Sequence, residues 1–247
     1  KNRNYELLET IHHDEKAFTQ GLTFFSNQFY ESTGINGESQ LRQLDPYTGA
    51  VIRSTNLAPH FFGEGLTHFT DDVGNDRLIQ LTWKNRKAFV YDPATLQIVN
   101  EFTFETTTME GWGIAYDERN ELFIVSDGSE YLHFMERDTL ALVRRVKVFI
   151  TDANGPYDES KRRPITYLNE LEFVNGSILA NVWFHNVIIS IDPETGLVEQ
   201  VYDFNDLWVD RTAKADVFNG ISRTETEGEF FVTGKWWPYM YRVRLFN

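Results

Sequence analysis

The segment "LRQLDPYTGAVI" at 41–52 returns as "AFVYDPATLQIV" at 88–99, "LHFMERDTLALVRRV" at 132–146 and "VIISIDPETGLVEQV" at 187–201. Each copy alternates apolar and polar residues, breaks at Asp-Pro or Asp-Thr, and resumes, which predicts two antiparallel strands around a tight turn. With Asp45, Asp92, Asp138 and Asp192 as markers, the copies are spaced by 47, 46 and 54 residues. A period in this range is the signature of a repeat architecture.

Upstream of the hairpins a second feature recurs, a polar or aromatic residue just before the start of a strand. Its five instances are Gln20-Gly21-Leu22, Glu64-Gly65-Leu66, Trp112-Gly113-Ile114, Asn169-Glu170-Leu171 and Asn219-Gly220-Ile221, spaced by 44, 48, 57 and 50 residues. Each opens a strand, a short turn and another strand, as in "LTFFSNQFYEST" (22–33) and "LEFVNGSILANVW" (171–183). Two strands here and two in the hairpin make four per unit, and five units predict an all-β fold, a five-bladed β-propeller of four antiparallel strands per blade. The last unit has only three strands before the chain ends, while "NYELLETIHH" (4–13) is a strand without a unit. This N-terminal strand is expected to complete the last blade and close the ring, leaving no open sheet edge. The breaks at 151–166 and 204–216 read as loops over one face, and residues 1–247 as a single propeller domain.

Composition agrees and excludes other classes. The chain is 15% aromatic, as suits strands, and 41% hydrophobic with 24% charged residues, an ordinary globular mixture. A formal net charge of −14 argues against nucleic acid as a partner, because phosphate contact needs clustered Lys and Arg. No apolar run approaches the roughly 18 to 20 residues of a membrane span, so no membrane partner is expected. With no Cys there is no disulfide framework, thiol nucleophile or thiolate zinc site. The histidines at 12, 13, 60, 68, 133 and 185 form no HExxH or other ligand spacing, so no metal is expected. No GxSxG elbow, Walker loop or GxGxxG follows a strand. One Asn-Gly-Ser sequon, Asn175 to Ser177, falls in a predicted hairpin turn.

Strand order concentrates the unusual residues. The start of the first strand and the end of the second lie at the same face of a blade, since the two are antiparallel. The starts supply Gln20, Glu64, Trp112, Asn169 and Asn219; the ends supply Thr33, Trp83, Asp127, Trp183 and Lys235. These ten residues would ring the mouth of the central channel, where polar groups need one another, water or a ligand. Glu64, between two glycines and just after Phe61 and Phe62, is set for desolvation that raises a carboxyl pKa. Lys235 is a packing cation beside Trp236 and Trp237 or the ion-pair partner of Glu64, and Asp127 in "SDGS" is a turn residue or a catalytic one.

The segments "FTQGLTF", "FGEGLT", "LTW", "EGWGIAYD", "SDGS", "LNELE", "NVW" and "FVTGKWWPYMY", in this order and spanning nearly the whole chain, resemble the glutaminyl-peptide cyclotransferases of the plant and bacterial type. That resemblance implies a five-bladed propeller. It also implies conversion of an N-terminal glutamine of a peptide or protein to pyroglutamate with release of ammonia, and no cofactor. Carried over by position, it makes Glu64 the acid/base and Phe18, Gln20, Trp83, Trp112, Asn169, Trp183 and Lys235 the pocket lining. It implies export as well, to the periplasm or outside the cell, with the signal peptide already removed; a monomer is expected. The "DDVGND" stretch (71–76) and the long loop before Asn169 are where peptide preference would be set.

The chemistry suits these residue types. The α-amine attacks its own γ-carboxamide, so confinement in near-attack geometry lowers much of the barrier. A free α-amine has a pKa of roughly 7.7 to 8.0 and must give up a proton, which a carboxylate can take. Lys235, Asn169, Gln20 or an indole N–H would then serve as donor to the oxyanion. Two other readings compete: a propeller glycoside hydrolase using Glu64, Asp127 and Glu170 with Trp83 and Trp183 as sugar platforms, and a non-catalytic lectin or peptide-binding scaffold. The hydrolase reading leaves Lys235 and the carboxamides without a role, and strand alternation should turn Glu170 away from the channel beside Asn169.

Overall fold

The structure is a computed structural model that describes residues 4–151, 161–208 and 211–246. Its strands are β1 Tyr5–His12, β2 Thr19–Phe25, β3 Gln28–Thr33, β4 Gln40–Leu44, β5 Val51–Asn56, β6 Gly63–Thr70, β7 Asp76–Thr82, β8 Lys87–Tyr91, β9 Ile98–Thr103, β10 Ile114–Asp117 and β11 Leu122–Ser126. They continue as β12 Tyr131–Glu136, β13 Leu142–Lys147, β14 Phe149–Ile150, β15 Arg163–Pro164, β16 Leu168–Val174, β17 Ser177–Val182, β18 Val187–Ile191, β19 Val198–Asp203, β20 Phe218–Arg223, β21 Glu229–Gly234 and β22 Tyr239–Leu245. No helix among the described residues is long and apolar enough to cross a membrane.

Five four-stranded antiparallel sheets form, β2–β5, β6–β9, β10–β13, β16–β19 and β20–β22 with β1, the last in the order β1-β22-β21-β20. The expected five blades and the closing N-terminal strand are therefore both present. The pair β14–β15 sits at the base of the expected loop over 151–166, of which 152–160 lie outside the described residues, as do 209–210 of the loop over 204–216.

Alternation along the second strand of each blade explains the ring. In β11, Phe123 and Val125 join the apolar cluster shared with β6–β9, while Ile124 faces the cluster shared with β16–β19. In β21, Phe230 and Val232 pack toward β16–β19 and Phe231 toward β2–β5. Burying both faces of a sheet requires a neighbour on each side, and five such apolar interfaces close the circle. Three hairpin turns are built as expected on Asp45, Asp92 and Asp192, whereas in the third blade the acid that opens the turn is Glu136, whose backbone O accepts from Leu140 N–H and whose carboxylate accepts from Thr139 Oγ1, and Asp138 lies inside the turn. The Asp45 carboxylate accepts N–H from Tyr47 and Thr48, and a residue with positive φ follows in each hairpin: Gly49, Leu96, Leu140 and Gly196.

A buried clasp fastens the closing strand to the first blade. The His13 ring N–H groups donate to Trp237 O at 2.6 Å and to the Glu31 carboxylate of β3 at 2.8 Å. Thr19 Oγ1 donates to the same carboxylate at 2.7 Å, and Arg42 lies 3.8 Å from its other oxygen. Burial opposes both charges, yet the pair prevails: the imidazole is held above its ordinary pKa and Glu31 below its own.

Candidate active site

Every blade bulges at its leading polar or aromatic residue. In β2, β6, β16 and β20 the pairing register slips by one residue at Gln20-Gly21, Glu64-Gly65, Asn169-Glu170 and Asn219-Gly220. Just before β10, Trp112 donates to Ser126 O and Gly113 O accepts from Ser126 N–H, so two residues again oppose one. These are β-bulges, which re-aim a side chain at the rim of a sheet. The small residue in second place follows from crowding. A Cβ on Gly65 would lie 2.7 Å from Ile114 N and Trp112 O, and one on Gly113 would lie 2.0 Å from Asn169 O. Only the fourth blade departs. There Glu170 accepts N–H from Ile221 at 2.7 Å and Leu22 at 3.4 Å, so it lies among three inner strands and not away from them as alternation suggested. The bulge is what breaks that alternation.

A cavity of about 210 Å³ opens at the bulges, lined by Phe18, Gln20, Phe62, Glu64, Trp83, Trp112, Asn169, Trp183 and Lys235. The structure thus brings all eight residues picked from the sequence into one pocket fed by all five blades, and adds Phe62. Three members of the expected ring stand outside it. Thr33 Oγ1 accepts N–H from Gln40. Asn219 donates to Thr19 O at 3.1 Å and approaches Gln20 Oε1 at 3.5 Å. Asp127 accepts N–H from Thr108 and Ser129, a turn residue whose oxygens are already committed.

The walls are a chain of rings in edge contact. Trp236, Phe18, Phe62 and Trp83 follow at centroid spacings of 4.9, 6.0 and 5.5 Å, and Trp112 meets Trp183 at 5.3 Å and 88°. A residue without any strand-position signal holds the two halves together. Glu110 Oε2 accepts from the indole N–H of Trp83 at 2.7 Å and of Trp112 at 2.9 Å. Those two indoles are therefore not free to serve as oxyanion donors; the Trp183 indole N–H has no protein partner among the described residues.

Inside, the polar groups are few and buried. Glu64 is 5% and Lys235 4% exposed. Gln20 Nε2 donates to Glu64 Oε1 at 3.0 Å. Burial pushes the Glu64 carboxyl well above the ordinary carboxylate range, with Glu110 reinforcing and Lys235 opposing. Burial likewise lowers the Lys235 ammonium, against Glu64 and Asp216, and its Nζ rests 4.6 Å from the Phe18 ring centroid. Glu64 and Lys235 influence each other through space without forming a contact ion pair. Asn169 Oδ1 is buried with no partner, an acceptor left for a ligand.

A buried carboxyl with a raised pKa, a buried cation, an amide oxygen without a partner and tethered indoles around a space for one small group define the class: a five-bladed propeller with an aromatic-walled, sparsely polar pocket at the centre of the ring. Similarity makes this specific. The family model described as "Glutamine cyclotransferase" matches residues 1–245. A glutaminyl-peptide cyclotransferase of Arabidopsis thaliana is 34% identical over 97% of this chain and 71% of the plant protein. The crystal structure of Myxococcus xanthus glutaminyl cyclase superimposes with a TM-score of 0.80 at 34% identity, covering 98% of this chain and 96% of that one. The WD40 propeller domain of Doa1, with a TM-score of 0.52 at 10% identity over 90% of this chain and 62% of that one, shares the fold alone. The chain belongs to the glutamine cyclotransferase family.

Proposed function

We propose that this protein cyclises the N-terminal glutamine of peptides or proteins to pyroglutamate with release of ammonia, Glu64 serving as general acid and base and no metal taking part. The observation that carries the reading is Glu64 itself, buried beside Lys235 and Gln20 with its pKa driven up. A raised carboxyl is matched to a proton shuttle near neutrality.

The steps follow from the groups at hand. Gln20 fixes one oxygen of Glu64, leaving the other to take a proton from the substrate α-ammonium. The freed amine attacks the δ-carbon of its own side chain, and the tethered indoles hold the two ends in reach. Lys235 and the Trp183 indole N–H stabilise the oxygen that becomes negative. Asn169 Oδ1 accepts from the amine and orients its lone pair. Closure leaves a surplus proton on the attacking nitrogen; the C–N bond to the side-chain nitrogen breaks as Glu64 gives that nitrogen the proton it holds and then takes the surplus one from the ring nitrogen, to be shed to solvent, so the lactam keeps one N–H and ammonia leaves. The polar lining is one carboxyl, one ammonium and carboxamides, with no imidazole; the ammonium repels a cation, so the chemistry is assigned to protein groups.

The glycoside hydrolase reading requires a second free carboxylate, and its candidates are otherwise engaged. Asp127 caps a turn, Glu170 binds backbone N–H groups, and Glu110 binds two indoles. Ammonia release from a Gln-initiated dipeptide by the wild type and not by Glu64→Gln tests the proposal; binding without release favours a scaffold.

A further inference from the structure

The cavity accounts for one residue of a substrate. About 210 Å³ is smaller than the roughly 300–1,000 Å³ of pockets that enclose drug-sized ligands. Resting on the cyclase reading, the residue that follows the glutamine must therefore lie on the rim.

The rim is not uniform. Its Trp236, Phe18, Phe62 and Trp83 side is half-buried, ring packed against ring. Next to Trp183, however, Phe184 is 65% and Tyr167 47% exposed. Phe184 stacks on Trp183 at 4.0 Å and 24°, and Tyr167 stands edge-on to both, at 6.0 Å from Trp183 and 6.2 Å from Phe184. The three rings form one surface continuous with the cavity wall, because Trp183 belongs to both. Backbone bonds set it in place: Tyr167 N–H donates to Gly128 O at 2.8 Å and Trp183 N–H to Tyr167 O at 2.9 Å.

Two further facts set this surface apart from chance exposure. Tyr167 and Phe184 have φ of 63° and 67°, in the left-handed region that glycine or asparagine occupies more readily. Neither ring fills the interior in return. Contiguous exposed aromatic area beside a pocket marks a binding surface, since water is a poor partner for it.

We infer that Tyr167 and Phe184, with the outer part of Trp183, form a subsite for the side chain of the residue after the N-terminal glutamine, and that it selects aromatic and large apolar side chains over glycine or a charged residue. The occupant is substrate, not another protein surface, because the patch opens directly into the cavity that takes the glutamine. A flat ring can lie against Phe184 or meet Tyr167 edge-on, and an aliphatic chain gains part of the same burial. A carboxylate at this position would lose hydration and meet no cation from these three residues.

The test compares kcat/KM for Gln-Phe-amide, Gln-Gly-amide and Gln-Glu-amide in the wild type, in Phe184→Gly and in Tyr167→Gly. Glycine suits the left-handed backbone, so the variants are expected to fold, which melting curves check. The wild type should prefer Gln-Phe-amide over Gln-Gly-amide by about tenfold, the scale of one added apolar group in a contact site. The preference should reside largely in KM and fall below about threefold in either variant. Turnover of Gln-Phe-amide and Gln-Gly-amide with equal efficiency by the wild type, or a preference that survives both substitutions, overturns the subsite alone. No turnover of any of the three overturns the cyclase reading and this inference with it.

Discussion

Replacing Glu64 by Gln separates the chemistry of the pocket from its architecture. The amide keeps an oxygen where Gln20 Nε2 now donates at 3.0 Å, so the packing change is one hydrogen-bond exchange, worth about 1 kcal/mol. The proton shuttle is lost entirely. General acid–base catalysis contributes roughly 10²–10⁴-fold, so kcat/KM should fall by at least about 100-fold, or about 2.7 kcal/mol of transition-state stabilisation. Stability should move the other way with rising pH. The folded pKa of Glu64 lies well above that of the unfolded chain, so its contribution is fully present below the unfolded value and disappears as pH climbs through the folded one. The amide variant has no such loss. Its melting temperature relative to the wild type should therefore rise between about pH 5 and about pH 8. Steady-state ammonia release and melting curves at both pH values report the two effects. Turnover within about threefold of wild type would refute the assignment of Glu64, and a melting difference that ignores pH would refute its burial as an acid.

The negative charge of Glu110 helps to raise Glu64, so Glu110→Gln should move the acid limb of the kcat/KM profile to lower pH, while Lys235→Met, which removes the opposing cation, should move it higher. A limb that stays put in both variants contradicts the coupling. Chelators should leave turnover unchanged, since the lining pairs one carboxyl with an ammonium; loss that zinc restores would assign the chemistry to a metal. His13→Ala strands the buried Glu31 carboxylate, which should cost about 3–5 kcal/mol and lower the melting temperature by about 10 °C. A drop below about 2 °C would mean that the clasp carries little of the ring closure.

The propeller was legible because a blade is a local unit. Period-two alternation, Asp-initiated turns and fifty-odd residues per unit at most are all written along the chain, and the orphan strand at 4–13 had one place to go. Seven of the eight candidate residues followed from strand order, and Phe18 came only through resemblance. What stayed hidden depends on contacts across blades. The repeated polar-then-glycine pair is a bulge, recognisable only once Trp112 and Gly113 are seen opposite Ser126. The same bulge sends Glu170 across to Ile221 and Leu22. Glu110 stands two residues before Trp112 in "MEGWG", and nothing local reveals that its carboxylate also reaches Trp83, 27 residues away. Phe62 stands two residues before Glu64, where the sequence suggests only a source of desolvation; its place on the wall depends on Phe18 and Trp83, from the first and second blades.

The most direct measurement is mass spectrometry of a Gln-initiated dipeptide after incubation with wild-type protein and with Glu64→Gln, with ammonia assayed in parallel. The expected result is loss of one ammonia from the peptide, matched mole for mole by free ammonia, with the wild type alone. An unchanged peptide with both proteins would contradict the cyclase function, and equal conversion by both would contradict Glu64 as its acid and base.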